Sequence, residues 1–138
     1  MHPFRVAVEA RDTAAVEALL ADDVVFTSPV AFKPYRGKPI TAAILRGVLR
    51  VFDGFHYVRE FGDGRDHALV FETGIVGAPG VRITGCDFIR VNDDGLIDDF
   101  MVMVRPLSGA KVLSEAMGAQ FDRIQAEASA AAESQAAE

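Results

Sequence analysis

The side chain best placed to do chemistry in this sequence is Asp87, because of its neighbours. In Ile83-Thr84-Gly85-Cys86-Asp87-Phe88-Ile89, alternate residues of an extended chain point to one face, so Asp87 shares a face with Ile83 and Ile89. A carboxylate on an apolar face is costly unless it is paired, hydrogen-bonded or protonated. Desolvation favours the neutral acid, which can donate a hydrogen bond to a ligand oxygen or a proton to a reacting group. The bland alternative is a structural acid bonded to arginine or to backbone N–H groups. His56 is the second candidate: if it points inward, it is the best candidate for a general base in the chain, since an unperturbed imidazole titrates near about pH 6.5. Tyr57 is either core packing or a hydrogen-bond donor to a pocket, and Tyr35 and Ser28 stand beside turns where a pocket could open. Cys86 has the opposite parity to Asp87 and no cation placed to make it a thiolate.

Other chemistries lack their residues. No histidine pair has metal-ligand spacing, and the lone cysteine rules out an internal disulfide and a cysteine-rich zinc site. Gly37-Lys38 is not a phosphate loop, because the glycine required five residues earlier is Phe32. Neither a dinucleotide fingerprint nor a calcium loop occurs, so the sequence implies no cofactor and no metal.

These side chains must be positioned by a single domain, since 138 residues are one domain's worth. Phe4 and Val8 give a short helix from Pro3 to about Arg11. Asp12 or Thr13 caps a second, with Val16, Leu19 and Leu20 as its apolar stripe and Asp22 and Asp23 closing it. Val24 to Thr27 reads as a strand stopped by Ser28-Pro29, and Tyr35-Arg36-Gly37 as a turn. A third helix presents Ile40, Ile44, Val48, Val51 and Phe52 inward and ends at Asp53-Gly54. Four strands follow, at Phe55–Phe61, His67–Val76, Val81–Val91 and Leu96–Arg105. From Ser108 a last helix carries Leu113, Met117, Phe121 and Ile124 on one stripe. The domain is read as residues 1–125, and the Ala/Glu-rich residues 126–138 as a frayed or disordered tail.

Helices first and an antiparallel meander afterwards make the class α+β, a curved sheet wrapped around the Ile40–Phe52 helix with room for a cavity. Alternation turns Phe71, Thr73, Ile83, Ile89, Phe100 and Val102 inward with Asp87, as pocket candidates. Tyr57 falls on one strand face with Phe55, Arg59 and Phe61. The opposite sheet face mixes charges with Phe88, Met101 and Met103, which predicts a homodimer through the sheet. The alternative is that the last helix covers those residues within one chain. A net charge of −6 argues against nucleic acid or an anionic membrane as main partner. With no targeting or membrane-length apolar segment visible, the expected location is cytoplasmic. Eleven Arg against three Lys, with much Ala, point to a GC-rich coding bias such as many bacteria have.

Three stretches resemble the nuclear transport factor 2-like superfamily, in particular its bacterial SnoaL-like members. They are Leu20-Ala21-Asp22-Asp23-Val24-Val25-Phe26 with Ser28-Pro29, Tyr35-Arg36-Gly37 leading into a helix, and Gly85-Cys86-Asp87-Phe88-Ile89-Arg90-Val91 with Asp94-Gly95-Leu96-Ile97. The resemblance covers about residues 3 to 125. It implies a conical α+β barrel with a pocket between sheet and helices, dimerising through the sheet. Enzymes of that superfamily include ketosteroid isomerase, polyketide cyclases, limonene-epoxide hydrolase and scytalone dehydratase. Asp87 falls where the isomerase keeps a protonated oxyanion-hole aspartate, but Ser28 replaces its base and Phe4 its helix tyrosine. A serine without an adjacent base cannot take up a substrate proton. The epoxide hydrolase needs an Asp–Arg–Asp set, and Arg82 and Arg90 have the wrong parity to join Asp87. The leading expectation is a pocket protein for an apolar or polycyclic small molecule. An isomerase, cyclase or dehydratase using Asp87 is the alternative, and an accessory dimerisation domain with a filled core is the third reading.

Overall fold

The computed structural model describes residues 1–137. Two short helices, α1 (Pro3–Glu9) and α2 (Thr13–Ala18), precede the first strand. Each has a side-chain cap: the His2 ring accepts from the Phe4 N–H at 3.0 Å, and Asp12 from the Ala15 N–H at 3.0 Å. Helix α3 (Lys38–Val51) follows β1 (Leu20–Thr27) and the two-residue β2 (Tyr35–Arg36). Then come β3 (Phe52–Asp63), β4 (Asp66–Ile75), β5 (Ala78–Val91), β6 (Ile97–Arg105) and α4 (Leu107–Ala137).

The six strands form one curved mixed sheet in the order β2-β1-β6-β5-β4-β3, which stays open and does not close into a barrel. All pairs are antiparallel except β1 with β6, where Phe26 lies beside Phe100. The concave side holds the core, against which α1 and α3 pack. Gly85 lets a ring into this layer: a Cβ there would overlap the Phe71 side chain on the neighbouring strand.

Tyr35-Arg36 is a short strand paired with β1 and not a turn, and three further elements differ from the sequence reading. Leu20, Asp22 and Asp23 do not end a helix. They begin β1, whose pairing with β6 slips between Leu20 and Val25, and both aspartates are exposed there. In β3 the register slips between Tyr57 and Arg59. Tyr57 therefore faces in, while Arg59 and Phe61 pair with Val70 and Ala68 and turn outward, so strict alternation fails beyond Tyr57. Finally, residues 126–137 are not a loose tail but continue α4. Ala128 is buried and Glu127 is bound by Arg46 at 3.0 Å and Arg50 at 3.4 Å on α3, contacts that hold this otherwise weakly apolar helix down. Glu138, the last residue of that expected tail, lies outside the described residues.

Candidate functional site

Asp87 sits in the middle of β5, opposite Leu69 on β4 and Val102 on β6, and is 6% exposed. Two strands away, Tyr57 turns in beside Phe71 and is 5% exposed. Its hydroxyl donates to Asp87 Oδ2 at 2.7 Å, and among the described residues Tyr57 is the only hydrogen-bond partner of that carboxyl. The sequence kept open whether Asp87 is tied into a protein network; the structure gives it one neutral donor and no cation. Burial pushes the Asp87 pKa up to about 7, and the Tyr57 hydrogen bond draws it only part of the way back. Tyr57 is raised well above the usual tyrosine range, by burial first and then by the negative charge of Asp87. The phenol ring is fixed edge-on to Phe55 and Phe71, with centroids 4.9 and 6.3 Å away.

Asp87 lies in the wall of a cavity of about 240 Å³ between the concave sheet, α1, α3 and α4. The sheet supplies Phe26, Phe55, Phe71 and Phe100, α1 supplies Phe4, and α3 supplies Ile44, Leu45 and Leu49. Helix α4 crosses the cavity and adds the stripe Leu113, Met117, Phe121 and Ile124. The segment Ser28–Ala31 forms part of its rim. Asp87 is the sole carboxyl among the lining residues, and no Lys, Arg or His lines it.

The sequence-derived candidates divide accordingly. Asp87, Tyr57, Phe71, Phe100, Val102, Tyr35 and Ser28 stand together around the cavity. Thr73, Ile83 and Ile89 share the buried face but do not line it. The Thr73 hydroxyl donates to the Gly74 carbonyl at 2.9 Å, Ile83 packs against Gly109 at the start of α4, and Ile89 is closed into the packed core. His56 is not in the site at all. The slip in β3 between Asp53 and His56 sets it opposite Glu72 on the outer face, half exposed, with its ring 3.5 Å from that carboxylate. The Ser28 hydroxyl accepts from the Val30 N–H at 3.1 Å. The sequence does not mark Phe52, Phe55 or the α4 stripe as pocket residues, although all of them line the cavity. The i, i+4 pattern of Leu113, Met117 and Phe121 was visible, but nothing in it says which side of the sheet the helix covers.

Residues 3–100 match the model of the SnoaL-like domain. The chain belongs to the SnoaL-like family. The crystal structure of a steroid delta-isomerase from Pseudomonas aeruginosa is 41% identical over 89% of each chain, with a TM-score of 0.80. An uncharacterised protein from Silicibacter pomeroyi with a cystatin-like fold is 34% identical over 91% of each chain, with a TM-score of 0.79. A de novo designed protein with a curved β-sheet, 18% identical, shares the fold alone at a TM-score of 0.65. No curated protein matches the sequence. As a SnoaL-like domain, the chain confirms the family resemblance and its α+β architecture. Its buried acid can give or take one proton near neutral pH, in a mostly apolar site that strengthens any hydrogen bond made there.

Proposed function

We propose that this SnoaL-like protein binds a flat, largely apolar small molecule and that Asp87 hydrogen-bonds an oxygen of that ligand. The observation that carries this is the Asp87 carboxyl itself. One oxygen takes the Tyr57 hydroxyl and the other has no protein partner among the described residues, in a cavity whose wall is mostly apolar. When neutral, the acid accepts from Tyr57 on Oδ2 and donates through its other oxygen. The space suits such a ligand: an apolar cavity of roughly 150 Å³ holds benzene, and this one is about 240 Å³. The absence of a lining cation disfavours an anionic ligand.

Calorimetric titration with 2-acetylnaphthalene and with 2-propylnaphthalene, of similar shape but lacking the oxygen, tests the proposal. A hydrogen bond of about 1.4 kcal/mol predicts roughly tenfold tighter binding of the ketone. Asp87→Ala should erase that preference. Equal affinities in the unmodified protein would overturn the reading.

A second reading, an isomerase, cyclase or dehydratase with Asp87 as acid, is favoured by the 41% identity to the steroid delta-isomerase. With one carboxyl and no imidazole in the lining, Asp87 would have to carry the proton in both directions. Ultraviolet absorbance would follow conversion of a β,γ-unsaturated ketosteroid to its conjugated isomer, with loss in Asp87→Ala. The third reading, an accessory dimerisation domain, predicts no ligand-sized cavity of about 300 Å³ or more; the cavity beside Asp87, at about 240 Å³, is below that size, so the titrations above decide between the two.

The homodimer belongs to the same proposal. Phe88, Met101 and Met103 stand with Phe61 on the convex face, α4 lies on the other side of the sheet, and Met103 is 54% exposed. The acidic chain with a single, half-buried cysteine suits a cytoplasmic setting. Among the described residues no helix is long and apolar enough to cross a membrane.

A further inference from the structure

Three glycines lie within long helices of this protein, and two are there because of contact. A Cβ at Gly47 of α3 would come within 2.8 Å of Ile124 Cδ1, and one at Gly109 of α4 would run into Ile83. Gly118, in the middle of α4, is different: an added Cβ would meet nothing within 4 Å. No packing demand calls for glycine there, and a helix interior disfavours it. Yet Gly118 lines the cavity that contains Asp87.

The burial of the lining residues locates the opening. Of all the residues around the cavity, only Val30, Ser114 and Gly118 are exposed. Ser114 and Gly118 are one helical turn apart, on the same face of α4. Leu113 and Ile124 are the buried anchors on either side of this stretch. Past Gly118, Arg50 to Gln120 at 2.7 Å and Arg46 to Glu127 at 3.0 Å also fasten α4 to α3. The helix is thus pinned at both ends and spans an aperture between. Two residues past Val30, Phe32 is 98% exposed, so apolar surface continues outward from the rim.

We infer that Gly118 keeps open an exit beside α4 through which a ligand longer than the cavity extends, its oxygen-bearing head at Asp87 and an apolar chain emerging past Ser114 and Gly118. This rests on the reading of the cavity as a binding site and adds the ligand class: an aryl or polycyclic head bearing one oxygen, with a linear apolar substituent at the opposite end. On this inference a long side chain at Gly118, whose Cβ would start in open space, reaches across the exit and leaves Asp87 and the inner cavity untouched, which makes it a position that determines ligand length.

The test is titration of the full chain with 4-ethylacetophenone, which fits within the cavity, and 4-nonylacetophenone, which does not. Gly118→Leu should weaken binding of the nonyl ketone at least tenfold while the ethyl ketone stays within about twofold. Ser114→Leu, one turn away on the same lip, should repeat the pattern. It serves as the second variant if Gly118→Leu fails to retain its helical circular dichroism. If the leucine variants weaken both ketones equally, or neither, the exit is refuted while the binding site stands. If the unmodified protein binds neither ketone, the binding reading fails and this inference falls with it.

Discussion

Replacing Asp87 by asparagine leaves the shape of the side chain and an oxygen for the Tyr57 hydroxyl, but removes the titration. In the folded protein the carboxyl holds its proton up to about pH 7, whereas in the unfolded chain it loses it at its ordinary value of 3.8. Between those values the folded state binds one proton more than the unfolded state, so stability falls as pH rises. The slope is about 1.4 kcal/mol per pH unit, and over the whole interval the unmodified protein loses on the order of 4 kcal/mol relative to Asp87→Asn. Below the unfolded value the contribution is complete, and above the folded value the loss is complete and the difference becomes flat. Urea unfolding of both proteins between pH 5 and 8, followed by far-ultraviolet circular dichroism, cancels every other titrating group in the difference. Asp87→Asn should gain about 3 kcal/mol over the unmodified protein across that window, nearly all of it below pH 7. A difference constant to within about 0.5 kcal/mol would show that Asp87 meets bulk water in the folded state. A difference of the opposite sign would mean that it is held as a paired carboxylate. Either result removes the ground for treating it as a hydrogen-bond donor.

Met103→Glu places a charge on the most exposed apolar residue of the proposed dimer face. Light scattering should show a dimer for the unmodified protein and a monomer for the variant, and a monomer in both cases would defeat the homodimer. Gly85→Ala pushes a methyl group into the Phe71 ring. Urea unfolding should register a destabilisation of about 1–3 kcal/mol, and the displaced ring should shrink the cavity and weaken 2-acetylnaphthalene. Unchanged stability would mean that Phe71 does not rest over Gly85.

Much of the site is legible in the sequence because β4, β5 and β6 alternate through their central stretches. Asp87, Phe71, Phe100 and Val102 take their faces from that periodicity alone. His56 and Phe61 do not, because β3 slips its register on either side of His56 and Tyr57, and each slip reverses the faces that follow. No residue type marks those slips: Phe55-His56-Tyr57-Val58-Arg59 is as β-prone as any regular strand. Alternation also could not separate Thr73, Ile83 and Ile89 from the true lining. Facing inward is a property of the strand, whereas touching a void depends on what the helices opposite leave unfilled. The helical state of residues 126–137 escapes for a related reason. Its support comes from Arg46 and Arg50, some eighty residues earlier in the chain, and local composition does not report partners so distant.

The parallel seam between β1 and β6 has a bearing on biosynthesis. Phe26 emerges from the ribosome long before its neighbour Phe100, and no local hairpin can bring the two together. A nascent chain interrupted before the last strand therefore exposes the greasy edge of its opening segment with nothing to receive it. The fold is completed from its end, and only the finished polypeptide owns a chamber to fill.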